Sequence, residues 1–253
     1  MAGIETVAHA HDIVELRLAR PPVNALEASL CDGLRDAVKA AVAGGARGLV
    51  LSSSAKVFSA GLDVPHLMSL GGDRSAITAI WESFFGAARA LAACPVPVVA
   101  AITGHAPAGG CVLALCCDYR VMASGPCSIG LNETQVGLAA PEGVQRLLRR
   151  VVGPYRAERM LVAGEMMDAA NALRIGLVDE VVDIDSVVQR SVVWLEHLLA
   201  LPGEAMLATR EMARADLVEA LQPRHIQLDR FMDAWYRPDC QNALHALMAR
   251  LGK

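Results

Sequence analysis

Residues 13–19 (IVELRLA) alternate apolar and polar side chains, the period-2 pattern of a strand buried on one face. After an Arg20-Pro21-Pro22 turn, apolar residues recur at helical spacing over 28–42 and stop at Gly44-Gly45, which predicts a helix. A strand over 47–52 (RGLVLS) feeds a loop over 53–63. A helix over 76–93 precedes a buried strand at 96–102, interrupted early by Pro97. Then come a helix at 109–116, a strand at 119–123, helices at 142–152, 154–163 and 168–175, a short strand at 177–182 and a helix at 185–199. Two long helical stretches, 204–221 and 223–250, close the chain. Strands and helices alternate to about residue 180 and the rest is helical, which is α/β order with a helical appendix. No repeat or low-complexity tract interrupts it. The Pro202-Gly203 turn is the best boundary, dividing a core over 1–200 from a C-terminal helical region over 201–253.

Composition sharpens this. Hydrophobic residues make up 54% of the 253, against a usual share of about 45–50%, so burial can offset the ordering entropy and intrinsic disorder is excluded. A net charge of −4, no basic run and 4% aromatics argue against nucleic acid as a partner. Residues 90–117 carry no Asp, Glu, Lys or Arg and are long enough to span a bilayer. However, Pro95, Pro97, Gly104, Pro107, Gly109 and Gly110 divide them into strand, turn and helix, so no membrane role is expected. The N-terminus shows no basic start followed by an apolar run. Seven cysteines, an odd number mostly in apolar surroundings, fit reduced thiols and a cytoplasmic protein. Without C-x-x-C or H-E-x-x-H, neither structural nor catalytic zinc has its ligand spacing.

Three segments could carry chemistry. Val57 to Asp63 (VFSAGLD) follows a strand, and its small residues allow close backbone approach; Asp63 could equally just cap a helix. Gly104 to Cys111 (GHAPAGGC) lies between a strand and a helix, where amides lack internal partners and could meet a developing anion. Tight packing through Gly109 and Gly110 is the structural alternative. Ile129 to Gly137 (IGLNETQVG) carries Glu133 among neutral neighbours, as either a solvated side chain or a base with a raised pKa.

Taken together, the three segments resemble the crotonase, or enoyl-CoA hydratase/isomerase, superfamily. Phe58 to Asp63 match its F-S-A-G-x-D segment, and Gly104 to Cys111 match G-x-x-x-G-G-G-C with Ala108 in place of the first glycine of the triplet. GHAPAGGCVLALCCDYRVMA followed by IGLNETQVGLAAP, with Arg20 to Asn24 (RPPVN), is most similar to Δ3,Δ2-enoyl-CoA isomerases of the mitochondrial type. The resemblance implies an α/β spiral of ββα repeats, C-terminal helices used in trimer or dimer-of-trimers assembly, and an acyl-CoA thioester as ligand. It implies no metal or redox cofactor, CoA being part of the substrate. It places the oxyanion-binding N–H groups on Ala60 and Gly109 and the catalytic carboxylate on Glu133. Substrate contacts are expected from Val23, Ala25, Gly61, Leu62, Asp63, Val64, Val112 and Asn132.

One departure bears on the reaction. Hydratases of the superfamily carry a second glutamate directly after the GGGC cysteine, where this chain has Val112. Water addition needs paired carboxylates, whereas moving a β,γ double bond to the α,β position needs one base that serves both C2 and C4. Isomerisation in fatty acid β-oxidation is therefore expected over hydration, with Glu142 the reserve candidate for a second carboxylate and an N-terminal helix position its other reading. A serine hydrolase built on Ser59, His66 and Asp63 lacks the G-x-S-x-G elbow. A non-catalytic acyl-CoA-binding protein is the remaining alternative.

Overall fold

The computed structural model describes residues 3–250 and 252. Strand β1 (Ile4–Ala8) pairs antiparallel with β2 (Ile13–Leu18). From β2 the sheet continues in parallel through β3 (Gly48–Ser53), β4 (Val98–Ile102), β6 (Tyr119–Ala123) and β9 (Glu180–Val182), the numbers between belonging to strands set apart from it. All five residues of β4 are buried, as expected for a central parallel strand covered on both faces. Helices α1 (Ala28–Ala43) and α3 (Arg74–Ala92) pack on each other, with the short α2 (Val64–Ser69) between them in sequence. Pro97 lies just before β4, so the apolar run 96–102 loses its first two residues to the approach.

A second, three-stranded sheet joins β5 (Ala106–Pro107), β7 (Ser128–Gly130) and β8 (Met167–Asp168). These strands are two or three residues long, too short to show a period of alternation. Helix α4 (Gly109–Leu115) starts one residue after β5, and all seven of its residues are buried. Helices α5 (Glu142–Val152), α6 (Pro154–Ala163) and α7 (Ala169–Arg174) follow, and α8 (Val187–Leu199) packs on β3, β4 and β6. The charge-free stretch 90–117 is thus the end of α3, then β4, β5 and α4, and no helix among the described residues is long and apolar enough to cross a membrane.

The two long helices expected at the C-terminus are five: α9 (Gly203–Ala213), α10 (Ala215–Ala220), α11 (Pro223–Ile226), α12 (Leu228–Trp235) and α13 (Pro238–Arg250). Gln227 takes a left-handed φ of 48° between α11 and α12, and Pro238 opens α13. The region is tied inward by a buried ionic contact. Asp118 receives two 2.8 Å hydrogen bonds from Arg210 and pairs with Arg214 at 3.0 Å, while Arg214 also donates to the Cys116 carbonyl. Phe231, Trp235 and Leu244 of these helices join the main hydrophobic core.

Candidate active site

The loop between β2 and α1 is organised by Asn24, buried and left-handed at φ 48°, a conformation that asparagine tolerates better than most residues. Its Nδ2 donates to Ser53 Oγ at 2.7 Å and to the Phe58 carbonyl at 3.2 Å, and its Oδ1 accepts the Arg20 N–H at 2.8 Å. Ser59 Oγ donates back to the Asn24 carbonyl at 2.8 Å and accepts the Gly61 N–H. Ser59 is therefore buried and fully used in holding the loop, while His66 is exposed, so no hydrolytic triad forms.

The same loop fixes one free amide. Leu26 N–H donates to the Gly61 carbonyl at 2.8 Å, and Asp63 N–H donates to the Leu26 carbonyl at 3.0 Å. A trans peptide sets N–H opposite C=O, so pinning the Gly61 carbonyl on Leu26 turns the Leu62 N–H the other way. That N–H has no acceptor among the described residues. A second free amide comes from the other segment. Ala108, at φ 45°, donates its N–H to the Gly130 carbonyl at 2.8 Å, and the next residue, Gly109, begins α4 with its N–H unpaired. A Cβ built on Gly61 would lie 3.4 Å from Gly109 N, and one on Gly110 only 2.7 Å from the Ser59 carbonyl, so glycine is what lets the two segments meet.

This corrects the expected donor pair. Ala60 spends its N–H on the Val23 carbonyl at 2.9 Å and has none to offer, and the free amide two residues on, Leu62, stands in its place. Gly61 is also not on the cavity wall. It is buried at φ 80°, a left-handed turn packed against the Pro107 carbonyl.

Glu133 sits at the start of a single 3-10 turn, Glu133–Val136, after β7. The turn is held from both sides: Thr134 Oγ1 donates to the Leu161 carbonyl, and Gln135 Nε2 to the Gly164 carbonyl at 2.7 Å. Gly137, left-handed at φ 73°, lets α13 approach so closely that a Cβ there would lie 2.8 Å from Cys240 Cα. Glu133 Oε2 is buried without a hydrogen-bond partner, and burial pushes the carboxyl up to about 7, only partly opposed by its own backbone N–H. A carboxyl with that value near neutrality can both take and return a proton.

Leu62, Gly109 and Glu133 line one cavity of about 720 Å³. Val23, Ala25, Ala60, Asp63, Val64, Val112 and Asn132 also line it, so of the expected site residues only Gly61 is absent. Asp63, the other carboxylate on the wall, is paired with Arg20 at 2.9 Å. Glu142 lies outside: it is exposed, pairs with Arg146 at 2.6 Å, and that arginine holds its carboxyl below the usual range. It cannot supply the second carboxylate. The rest of the wall is largely aromatic and aliphatic. Trp81, Phe84 and Phe85 of α3, with Phe231 and Trp235 of α12, put five of the ten aromatic side chains into this cavity. Leu244 and Leu247 of α13 close it. The helical spacing of 81, 84 and 85 is consistent with one buried face, but nothing local pairs that face with α12.

Residues 9–248 match the family model described as Enoyl-CoA hydratase/isomerase. The chain is 33% identical over 243 residues to the mitochondrial enoyl-CoA delta isomerase 1 of Mus musculus, covering 94% of this chain and 83% of that protein. It superposes on the crystal structure of human mitochondrial delta3-delta2-enoyl-CoA isomerase with a TM-score of 0.92 and 30% identity, over 99% of this chain and 98% of the other. An enoyl-CoA hydratase, EchA3 from Mycobacterium ulcerans, superposes with a TM-score of 0.82 and 26% identity, over 90% and 98% of the chains.

Proposed function

Because the chain belongs to the enoyl-CoA hydratase/isomerase family, we propose that it is a Δ3,Δ2-enoyl-CoA isomerase, moving the double bond of a 3-enoyl-CoA to the 2-trans position in fatty acid β-oxidation. The observation that carries this reading is a single unpaired carboxylate, Glu133, lining the same largely apolar cavity as two residues with free backbone amides, Leu62 and Gly109. With the thioester oxygen on the N–H groups of Leu62 and Gly109, Glu133 removes a C2 proton. The electron pair passes to the thioester oxygen as a dienolate, and the conjugated double bond forms as Glu133 returns the proton to C4. Each amide donor of this kind is commonly worth about 3–4 kcal/mol, and being backbone it has no proton of its own to lose. The aromatic wall takes the acyl chain and keeps water from the dienolate. No metal or redox group enters these steps.

Hydration is the competing reading, and the resemblance to a hydratase structure is its support. It requires a second unpaired carboxylate on the cavity; Asp63 there is tied to Arg20, and Val112, which the resemblance sets where hydratases carry their second glutamate, has none. Assembly as a trimer or dimer of trimers belongs to the same proposal, supported by exposed apolar side chains at Tyr155, Val162 and Met212. A reducing, cytoplasmic setting is supported by seven buried free thiols. The test is a paired assay on one preparation, 3-enoyl-CoA isomerisation against 2-enoyl-CoA hydration. Isomerisation far in excess supports the reading; brisk hydration without isomerisation refutes it.

A further inference from the structure

Arg20 lies at the cavity wall, one-third exposed, where an arginine invites assignment to a phosphate of the ligand. Its hydrogen bonds point elsewhere. Nε meets Glu27 Oε1 at 3.0 Å, one terminal nitrogen donates to the Ala25 carbonyl at 3.2 Å, and the other donates to Glu27 Oε2 at 3.2 Å and Asp63 Oδ2 at 2.9 Å. Two carboxylates and a carbonyl thus use most of the planar fork and more than cancel its charge, leaving little to attract an anion.

What these partners share is their place around one peptide. Ala25 and Glu27 flank Leu26, whose N–H pins the Gly61 carbonyl; Asp63 follows Leu62, whose N–H is thereby turned outward. Asp63 is fixed as well by capping α2, its Oδ1 accepting the His66 N–H at 3.1 Å. One guanidinium therefore spans both strands of the two-residue bridge between Leu26 and Leu62. We propose that Arg20 is a positioning residue of the isomerisation, clamping the Leu26 and Leu62 segments together so that the Leu62 N–H stays aimed at the thioester oxygen. The proposal rests on the isomerase reading. Without the clamp the Gly61–Leu62 peptide gains freedom to rotate, and each departure removes a donor at the moment charge develops.

The test uses Arg20→Gln, Arg20→Lys and Asp63→Asn, the last keeping a side chain able to cap α2 while breaking the ion pair. Arg20→Gln is expected to lower kcat by about ten- to a hundredfold, the scale of a small misplacement of a reacting group, with KM nearly unchanged. Arg20→Lys keeps the charge but cannot bridge three partners, so it recovers little. Asp63→Asn lowers kcat in the same way, and the double variant falls no further than the worse single one. The decisive readout is the infrared carbonyl stretch of a bound saturated acyl-CoA labelled with carbon-13 at the thioester. Binding to the native protein shifts it to lower frequency, and Arg20→Gln and Asp63→Asn lose much of that shift. A higher KM with kcat and carbonyl shift intact would make Arg20 a ligand contact and overturn the proposal. So would a lower unfolding temperature with kcat and shift intact. Because the carbonyl shift needs only binding, it judges the clamp even if the native protein fails to isomerise 3-enoyl-CoA, an outcome that would refute the isomerase reading instead.

Discussion

Glu133 and Val112 line one cavity from different elements, the first from the turn after β7 and the second from α4, and only the first can carry a proton. Replacing Val112 tests what the apolar partner does. Val112 is 1% exposed, so Val112→Glu places a carboxyl among buried apolar neighbours, where its pKa rises and the fold loses stability. Isomerisation should be lost, with at most slight hydration gained, because water must also be positioned against both carboxyls. Parallel assays and a thermal melt measure this, and strong hydration by the variant would contradict it.

Glu133→Gln should lower kcat by about 10⁴-fold, the upper end for a general base, because one group serves both transfers. Acyl-CoA affinity, followed by fluorescence of Trp81 and Trp235 on the wall, should change little. Retained turnover would mean that Glu133 is not the base.

The pH dependence follows from the same carboxyl. It must be ionised to take the C2 proton, so the rate should rise with pH through about 7 and then level off. Stability runs the other way. The folded carboxyl keeps its proton up to about 7 while the unfolded one releases it at its ordinary value, so stability falls as pH rises between the two and flattens above. Glu133→Gln should abolish that fall and melt at a higher temperature than the native protein at about pH 8. An unchanged melting curve would place the carboxyl in water.

Gly109→Ala asks whether the second amide matters. The new Cβ would lie 2.9 Å from Leu26 Cδ1 and 3.2 Å from both Leu62 Cδ1 and Phe84 Cε2, all on or beside the site. These side chains can shift, so the protein should fold, but the amide moves and the wall tightens. A loss of about 10²-fold in kcat is expected, the scale of one lost oxyanion donor.

Glu142→Gln should leave both activities at native levels, since this exposed carboxylate contacts Arg146 and His225 rather than the cavity. A loss of isomerisation would return it to the mechanism.

The parts legible in the sequence were those set by local rules. Alternation over 13–19, helical spacing over 28–42 and the breakers within 90–117 each specified an element, and the glycine segments and Glu133 marked the site. Which amide is free was not legible, because it depends on long-range bonds: Val23 takes the Ala60 N–H, and Leu26 takes the Gly61 carbonyl. Glu142 could be judged only once Arg146 and His225 were seen beside it. The aromatic wall joins residues some 150 positions apart, and the breaks at Gln227 and before Pro238 that swing α12 into place are hidden by continuous helical composition.

The central claim is that one carboxylate moves one proton from C2 to C4, and an isotope measurement tests it most directly. A 3-enoyl-CoA carrying deuterium at C2, converted in ordinary water and stopped early, should give a 2-enoyl product with part of that deuterium at C4. Glu133 holds it in a cavity that slows exchange with solvent. Product whose C4 hydrogen comes entirely from water, however early the reaction is stopped, would contradict the account and require a second proton donor.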